Sequence, residues 1–360
     1  MNIFHCACGN TVYFENTRCL ACDRELGFLP ERMEHAALEP ESGKDYRAIT
    51  PKGEVGRYRK CANFAEEDIC NWMVPADSKE RFCEACRLNQ VIPNLAKPGN
   101  REKWLNVERE KRRLIYELKH LGLPFHSKRE DAASGLAFAF MEDEKTETEF
   151  ADAAGDSGRV FTGHANGLIT INILEADDAA REAIRQRMNE ASRTLLGHFR
   201  HEIGHYYWDR LIRDGQRQAE FRRYFGDERL DYQAALKRYY NQGPPPDWNQ
   251  RFISAYASAH PWEDWAECWG HYLQIRDALE TALALEFIDA RPTSFDHLIR
   301  LWTRLSTAIN LMNRSMGMRD AYPFVLTDPV IEKIRFIHEL IYEVGQPPRG
   351  GMGPEAGPTN

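Results

Sequence analysis

Residues 198–208 read HFRHEIGHYYW. His201 and His205 are four residues apart, so on a helix both imidazoles leave one face and can reach the same ion. Glu202, beside the first of them, can reach a water on that ion without being a ligand. The H-E-x-x-H pattern therefore points to a zinc-bearing helix; the competing reading is an amphipathic helix with surface histidines. Catalytic zinc takes three protein groups and keeps one position open, so the rest of the chain must supply a further ligand. His198 could share the face, and no histidine follows at the spacing that metzincins use.

Residues 256–272, YASAHPWEDWAECWGHY, concentrate the candidates. Glu263 and Glu267 are also four apart and share a helix face, among tryptophans and alanines that read as buried. A buried carboxylate needs a partner, because leaving it unpaired costs several kcal/mol, and a metal with two histidines is such a partner. Spacing alone leaves Glu263 and Glu267 both open as the ligand. His198, His260 and His271 read as surface or structural histidines, Asp209 as a surface carboxylate, and Cys268 as a small buried hydrophobe.

Eight of the nine cysteines lie before residue 87. Cys6 and Cys8, then Cys19 and Cys22, form two close pairs, the arrangement in which four thiolates close a tetrahedron around zinc. Cys61, Cys70, Cys83 and Cys86 make a second quartet with a wider first spacing, for which reduced cysteines in a small core, or pairing across the quartets, are the alternatives. With no open coordination position, two such zincs are structural, and the metal supplies folding energy to a segment poor in apolar periodicity.

A length of 360 residues suggests one larger unit plus a smaller one. Net charge of -8 argues against sequence-independent nucleic-acid binding, and no apolar run reaches the length of a membrane span. The N-terminus MNIFHCACGN lacks a basic region followed by an apolar one, so a cytoplasmic chain is expected, with its cysteines reduced or on metal.

The prolines and glycine of QVIPNLAKPGN set a boundary near residue 95. Trp104, Val107, Leu114, Leu118 and Leu121 then predict an amphipathic helix, with REKRR at 109–113 as its solvated face. GLAFAF and LITINI read as strands, and the acidic segment between them as a solvated hairpin loop. From residue 175 the pattern is helical, as one helix or as two broken near Gly197. Leu298, Leu301, Trp302, Leu305, Ile309 and Met312 stripe a later helix, and Ile334, Ile337 and Ile341 the last one. The Gly/Pro-rich tail, 346–360, is expected to be disordered.

HEIGH followed 58 residues later by EDWAE resembles the gluzincin arrangement. The local similarity is to the catalytic domain of the anthrax lethal-factor protease, over roughly residues 165–285, about a dozen positions carrying it. More broadly the chain resembles bacterial zinc-binding metallopeptidases with an N-terminal zinc-ribbon. The resemblance implies an α+β chain: a zinc-ribbon region at 1–94, then a mainly helical zincin-like (gluzincin) metallopeptidase domain with a small β-sheet at 95–345. It further implies that His201, His205 and Glu263 bind catalytic zinc and that Glu202 is the general base. Glu267 would hydrogen-bond a ligand histidine, and Tyr256 would donate to the oxyanion of the tetrahedral intermediate.

The implied activity is peptide-bond hydrolysis by metal-activated water. LITINI sits where zincins place the edge strand that pairs with an extended peptide. The expected partners are a peptide or protein substrate and a protein docked on the ribbon, with no nucleic acid and no membrane. The alternative class is a ribbon-borne binding or regulatory protein whose zincin-like part is a sensor or inactive.

Overall fold

The computed structural model describes residues 2–143, 160, 162–188 and 190–345. Most of the acidic segment after Met141 and the tail 346–360 lie outside them, so the readings made of both are not addressed by the fold.

The head opens with a hairpin of β1 (Phe4–His5) and β2 (Thr11–Val12). An antiparallel meander follows: β3 (Glu25–Leu29), β4 (Glu34–Pro40), β5 (Asp45–Thr50), β6 (Gly53–Lys60) and, after the short α1 (Ala62–Ala65), β7 (Met73–Pro75). A bridge from Phe28 to Trp72 brings its first and last strands together, so the sheet curls around a core of aromatics. This sheet is absent from the sequence reading: Gly27, Ala36, Ala37 and Ala48, buried on its strands, carry little apolar signal, and the charged residues of β6 mask its alternation.

The strand β8 (Asn89–Val91) leaves the head and joins a second sheet with β9 (Ala137–Met141), β10 (Gly163–Ala165) and β11 (Leu168–Asn172), in the order β10-β11-β9-β8. GLAFAF and LITINI do form strands, β9 and β11, but they pair in parallel, so they are not the two arms of one hairpin. β11 also pairs with β10, which makes it an interior strand; the edge beside the HEIGH stretch is β10. The edge-strand reading of LITINI is corrected accordingly.

The helix α2 (Asn100–His120) runs between head and sheet. Tyr116 meets Phe4, Phe14 and Phe28 at ring separations of 6.2, 5.3 and 6.1 Å, so the two parts share one continuous core. The REKRR face is therefore solvated only in part: Glu110, Lys111 and Arg112 are buried, and Arg109 and Arg113 reach solvent. Lys111 pairs with Glu108 at 2.8 Å, and Arg112 donates to the Ile69 carbonyl at 2.7 Å.

The remaining helices are α3 (Asp178–Arg187), α4 (Leu195–Tyr207), α5 (Gln218–Phe225), α6 (Tyr232–Gln242), α7 (Trp248–Arg251), α8 (Pro261–Ala284), α9 (Phe295–Ser315) and α10 (Asp328–Gly345). From residue 175 to the end of HEIGH the chain thus uses two helices, α3 and α4, which part before Leu195 and not near Gly197; α4 is capped by Thr194, whose Oγ1 accepts the Gly197 N–H at 2.9 Å. A π-helical turn, Trp208–Arg213, continues α4. The α9 stripe is buried at Leu298 and Trp302 but exposed at Met312, so only its first half packs. No helix among the described residues is long and apolar enough to cross a membrane.

Candidate metal centre

Gly204, inside HEIGH, sets how closely the two site helices approach. A Cβ there would stand 3.0 Å from the Ala266 Cα and 3.1 Å from the Trp269 Cβ, so α4 and α8 meet backbone to backbone. The Trp265 indole N–H donates to the Gly204 carbonyl at 2.8 Å, pinning the crossing. On α8, the His260 Nδ1 caps the helix by accepting the Trp262 N–H at 3.1 Å, and Pro261 occupies its first position. Glu263 thereby falls in the first turn, where the helix dipole favours a carboxylate.

The result is a convergence of three side chains. The His201 Nε2 lies 3.0 Å from the Glu263 Oε2 and 3.2 Å from the His205 Nε2, which is 3.7 Å from the same carboxylate oxygen. Zinc bonds of about 2.0–2.1 Å in a tetrahedron set donor separations near 3.3 Å, so this set of two imidazoles and one carboxylate fits the ion. Glu263 is 1% exposed. Burial alone would raise its pKa, yet the histidines His205 and His201 hold it well below the usual carboxylate range.

Around this set lie the groups that orient it. The Glu267 Oε1 is 2.8 Å from the His201 Nδ1, and its Oε2 accepts from the Ser254 hydroxyl at 2.6 Å. Tyr232 donates from its hydroxyl to the Glu263 Oε1 at 2.6 Å. Next to Glu263, the buried Asp264 pairs with Lys333 of α10 at 2.6 Å. Glu202 is buried beside the set; its Oε2 has no hydrogen-bond partner among the described residues, and burial raises its pKa against the pull of His201 and His205. The Tyr256 ring lies 6.1 Å from that of His201, and burial with the nearby Glu263 carboxylate keeps its phenol protonated well above the ordinary range.

The structure thus brings His201, His205, Glu263, Glu202, Glu267 and Tyr256 to one place. The three other histidines weighed from the sequence have other partners: His198 stands 3.6 Å from Glu175, His260 caps α8, and His271 meets the Tyr322 hydroxyl at 3.0 Å. On the edge strand, His164 lies 6.4 Å from His205, ring to ring and nearly parallel. Tyr232, Ser254, His164 and Lys333 are absent from the sequence reading. No local signal marks them; Tyr232 lies 31 residues before Glu263, and only the fold joins them.

In the head, Cys6, Cys8, Cys19 and Cys22 cluster, as do Cys61, Cys70, Cys83 and Cys86, with no pairing across the two sets. Sulfur separations of 3.6 and 3.7 Å in the first and 3.8 Å in the second match the value near 3.8 Å that zinc–sulfur bonds of about 2.3 Å require. All nine cysteines are free. The second cluster is buried throughout, and the Arg112 guanidinium is held charged by Cys70, Glu108, Cys86 and Cys83 against the cost of its burial. It stands where it would offset the negative charge of thiolates that hold a metal.

Comparison with known proteins bears on both parts of the chain. A zinc-ribbon family model matches residues 3–97. Three curated proteins match the chain; they include uncharacterized proteins of Mycobacterium bovis and Mycobacterium tuberculosis, 40% identical over 355 residues, which is 96% of each chain. No solved structure matches. Residues 100–340 match the family described as "Putative zinc-binding metallo-peptidase", and the chain belongs to that family.

Proposed function

We propose that the chain is a zinc-dependent peptidase, with the catalytic ion on His201, His205 and Glu263 and a structural zinc in each cysteine cluster. The observation that carries this reading is the convergence of three donor atoms of the right chemistry beside a buried glutamate with a free oxygen. Zinc in such a site supplies Lewis acidity and lowers the pKa of a bound water towards about 7. Glu202 takes the proton of the attacking water and returns it to the leaving amine. Tyr256 donates to the oxygen on which charge develops, and Glu267 fixes the His201 tautomer by holding its Nδ1 proton.

The substrate backbone pairs with β10, the edge strand next to His205, and is oriented by it. Residues 1–94 act as the ribbon unit, holding α2 through the shared aromatic core and offering a docking surface to a protein partner. Residues 95–345 act as the peptidase unit, in the zincin-like arrangement of the gluzincins.

The test is digestion of an unbiased peptide library by the full chain, read by mass spectrometry. Cleavage that stops on chelation and returns with added zinc is the expected result. Absence of cleavage by a fully zinc-loaded protein would favour the binding or sensor role instead.

A further inference from the structure

Helix α6 touches the metal centre through its first residue. Asp231 caps that helix by accepting the Ala234 N–H at 3.0 Å, which fixes where Tyr232 begins it. The Tyr232 ring packs 5.2 Å from His260 and 5.6 Å from Trp262, the residues that start α8. Its hydroxyl then lies 2.6 Å from the Glu263 Oε1, while the Oε2 faces the two histidines. The two oxygens of one buried carboxylate are thus assigned to different partners.

We infer that Tyr232 is the positioning residue for the third metal ligand, engaging one oxygen of Glu263 so that the carboxylate binds zinc through the other alone. The inference rests on the reading of His201, His205 and Glu263 as the metal set. Its physical content is coordination number. A carboxylate free to turn can place both oxygens on the ion and occupy the position that a catalytic site keeps open; one oxygen held by a phenol cannot. A hydrogen bond to the outer oxygen also fixes the direction of the inner lone pair, the way outer partners orient ligands in zinc sites generally. Without Tyr232, the Glu263 Oε1 would be a buried acceptor, in a residue 1% exposed, with no hydrogen bond from any other described side chain.

The test is a zinc-buffer titration of the full chain, with metal content measured at each free-zinc level for the parent, Tyr232→Phe and Glu263→Ala. The parent is expected to hold three zincs and Glu263→Ala two. Tyr232→Phe should hold three, the third bound 10–100-fold more weakly and the cysteine-bound pair unchanged. Cobalt exchanged into the third site should also give a visible spectrum in Tyr232→Phe that differs from the parent's. A Tyr232→Phe protein that holds the third zinc as tightly as the parent overturns the inference while leaving the metal set intact. A parent with only two zincs overturns the metal set itself and the inference with it. Should Tyr232→Phe lose the cysteine-bound zincs and fail to fold, a crystal structure of the zinc-loaded parent decides. Glu263 on zinc through one oxygen, with Tyr232 on the other, supports the inference; two-oxygen binding with Tyr232 turned away overturns it.

Discussion

The Nδ1 of His201 lies 2.8 Å from the Oε1 of Glu267, one helical turn beyond Glu263 on the same helix. One helix therefore presents a carboxylate to each nitrogen of a single imidazole, and only the Nε2 side is open to an ion.

This division sets unequal consequences for the two glutamates. Glu263→Ala is predicted to release the third zinc while the two cysteine-bound zincs stay, as metal analysis would show. Glu267→Ala keeps that zinc but weakens it about 10–100-fold, because the ring loses its orienting partner and not its ligand role. Release by Glu267→Ala with retention by Glu263→Ala would reverse the ligand assignment.

The close crossing at Gly204 gives a second prediction. Gly204→Ala puts a methyl 3.0 Å from the Ala266 backbone, which cannot yield as a side-chain tip would. We expect a stability loss of about 1–3 kcal/mol in denaturant unfolding, together with weaker binding of the third zinc as Glu263 moves away. Unchanged stability would show that the helices have slack.

The pair of Asp264 and Lys333 ties the first turn of α8 to α10 inside the core, where both side chains are almost fully buried. Lys333→Met leaves a carboxylate without its counter-charge and is predicted to cost about 3–5 kcal/mol. The double replacement Asp264→Leu with Lys333→Met should recover much of that loss in a thermodynamic cycle. A double variant no better than Lys333→Met would mean that packing, not charge, dominates there.

His35 supplies a pH dependence in the head. It is buried, its Nε2 meets the Phe14 carbonyl at 3.0 Å, and burial pushes its pKa down to about 4. The unfolded value is near 6.5, so the unfolded chain binds the extra proton first as pH falls. The contribution of neutral His35 is fully present above about pH 6.5 and is lost as pH falls towards 4. Relative to His35→Gln, the parent should lose about 2 kcal/mol between pH 7 and pH 5. A difference that stays constant over this range would contradict the burial argument.

How far the sequence disclosed this site depended on whether its parts were local. Cys19 with Cys22, Cys83 with Cys86, His201 with His205 and Glu263 with Glu267 are each set by short spacings, and in the structure each pair stands together. Their joining was read from the chemical need of one motif for the other. Tyr232 and Lys333 answer to no such need, since a phenol or an ammonium at those positions has ordinary surface readings until tertiary packing places it. The partial burial of REKRR was missed for a related reason: charge predicts solvent exposure only when no thiolate cluster or carboxylate waits on the other side. The parallel pairing of β9 and β11 was likewise hidden, because alternation reports which face is buried and not the direction of the neighbouring strand.

The central claim is that Glu202 acts as the base at a zinc held by its neighbours. It is tested most directly by comparing parent and Glu202→Gln at equal zinc content on the peptides the parent cleaves. The account predicts that Glu202→Gln keeps its fold and three zincs and loses cleavage; a Glu202→Gln protein as active as the parent would contradict it.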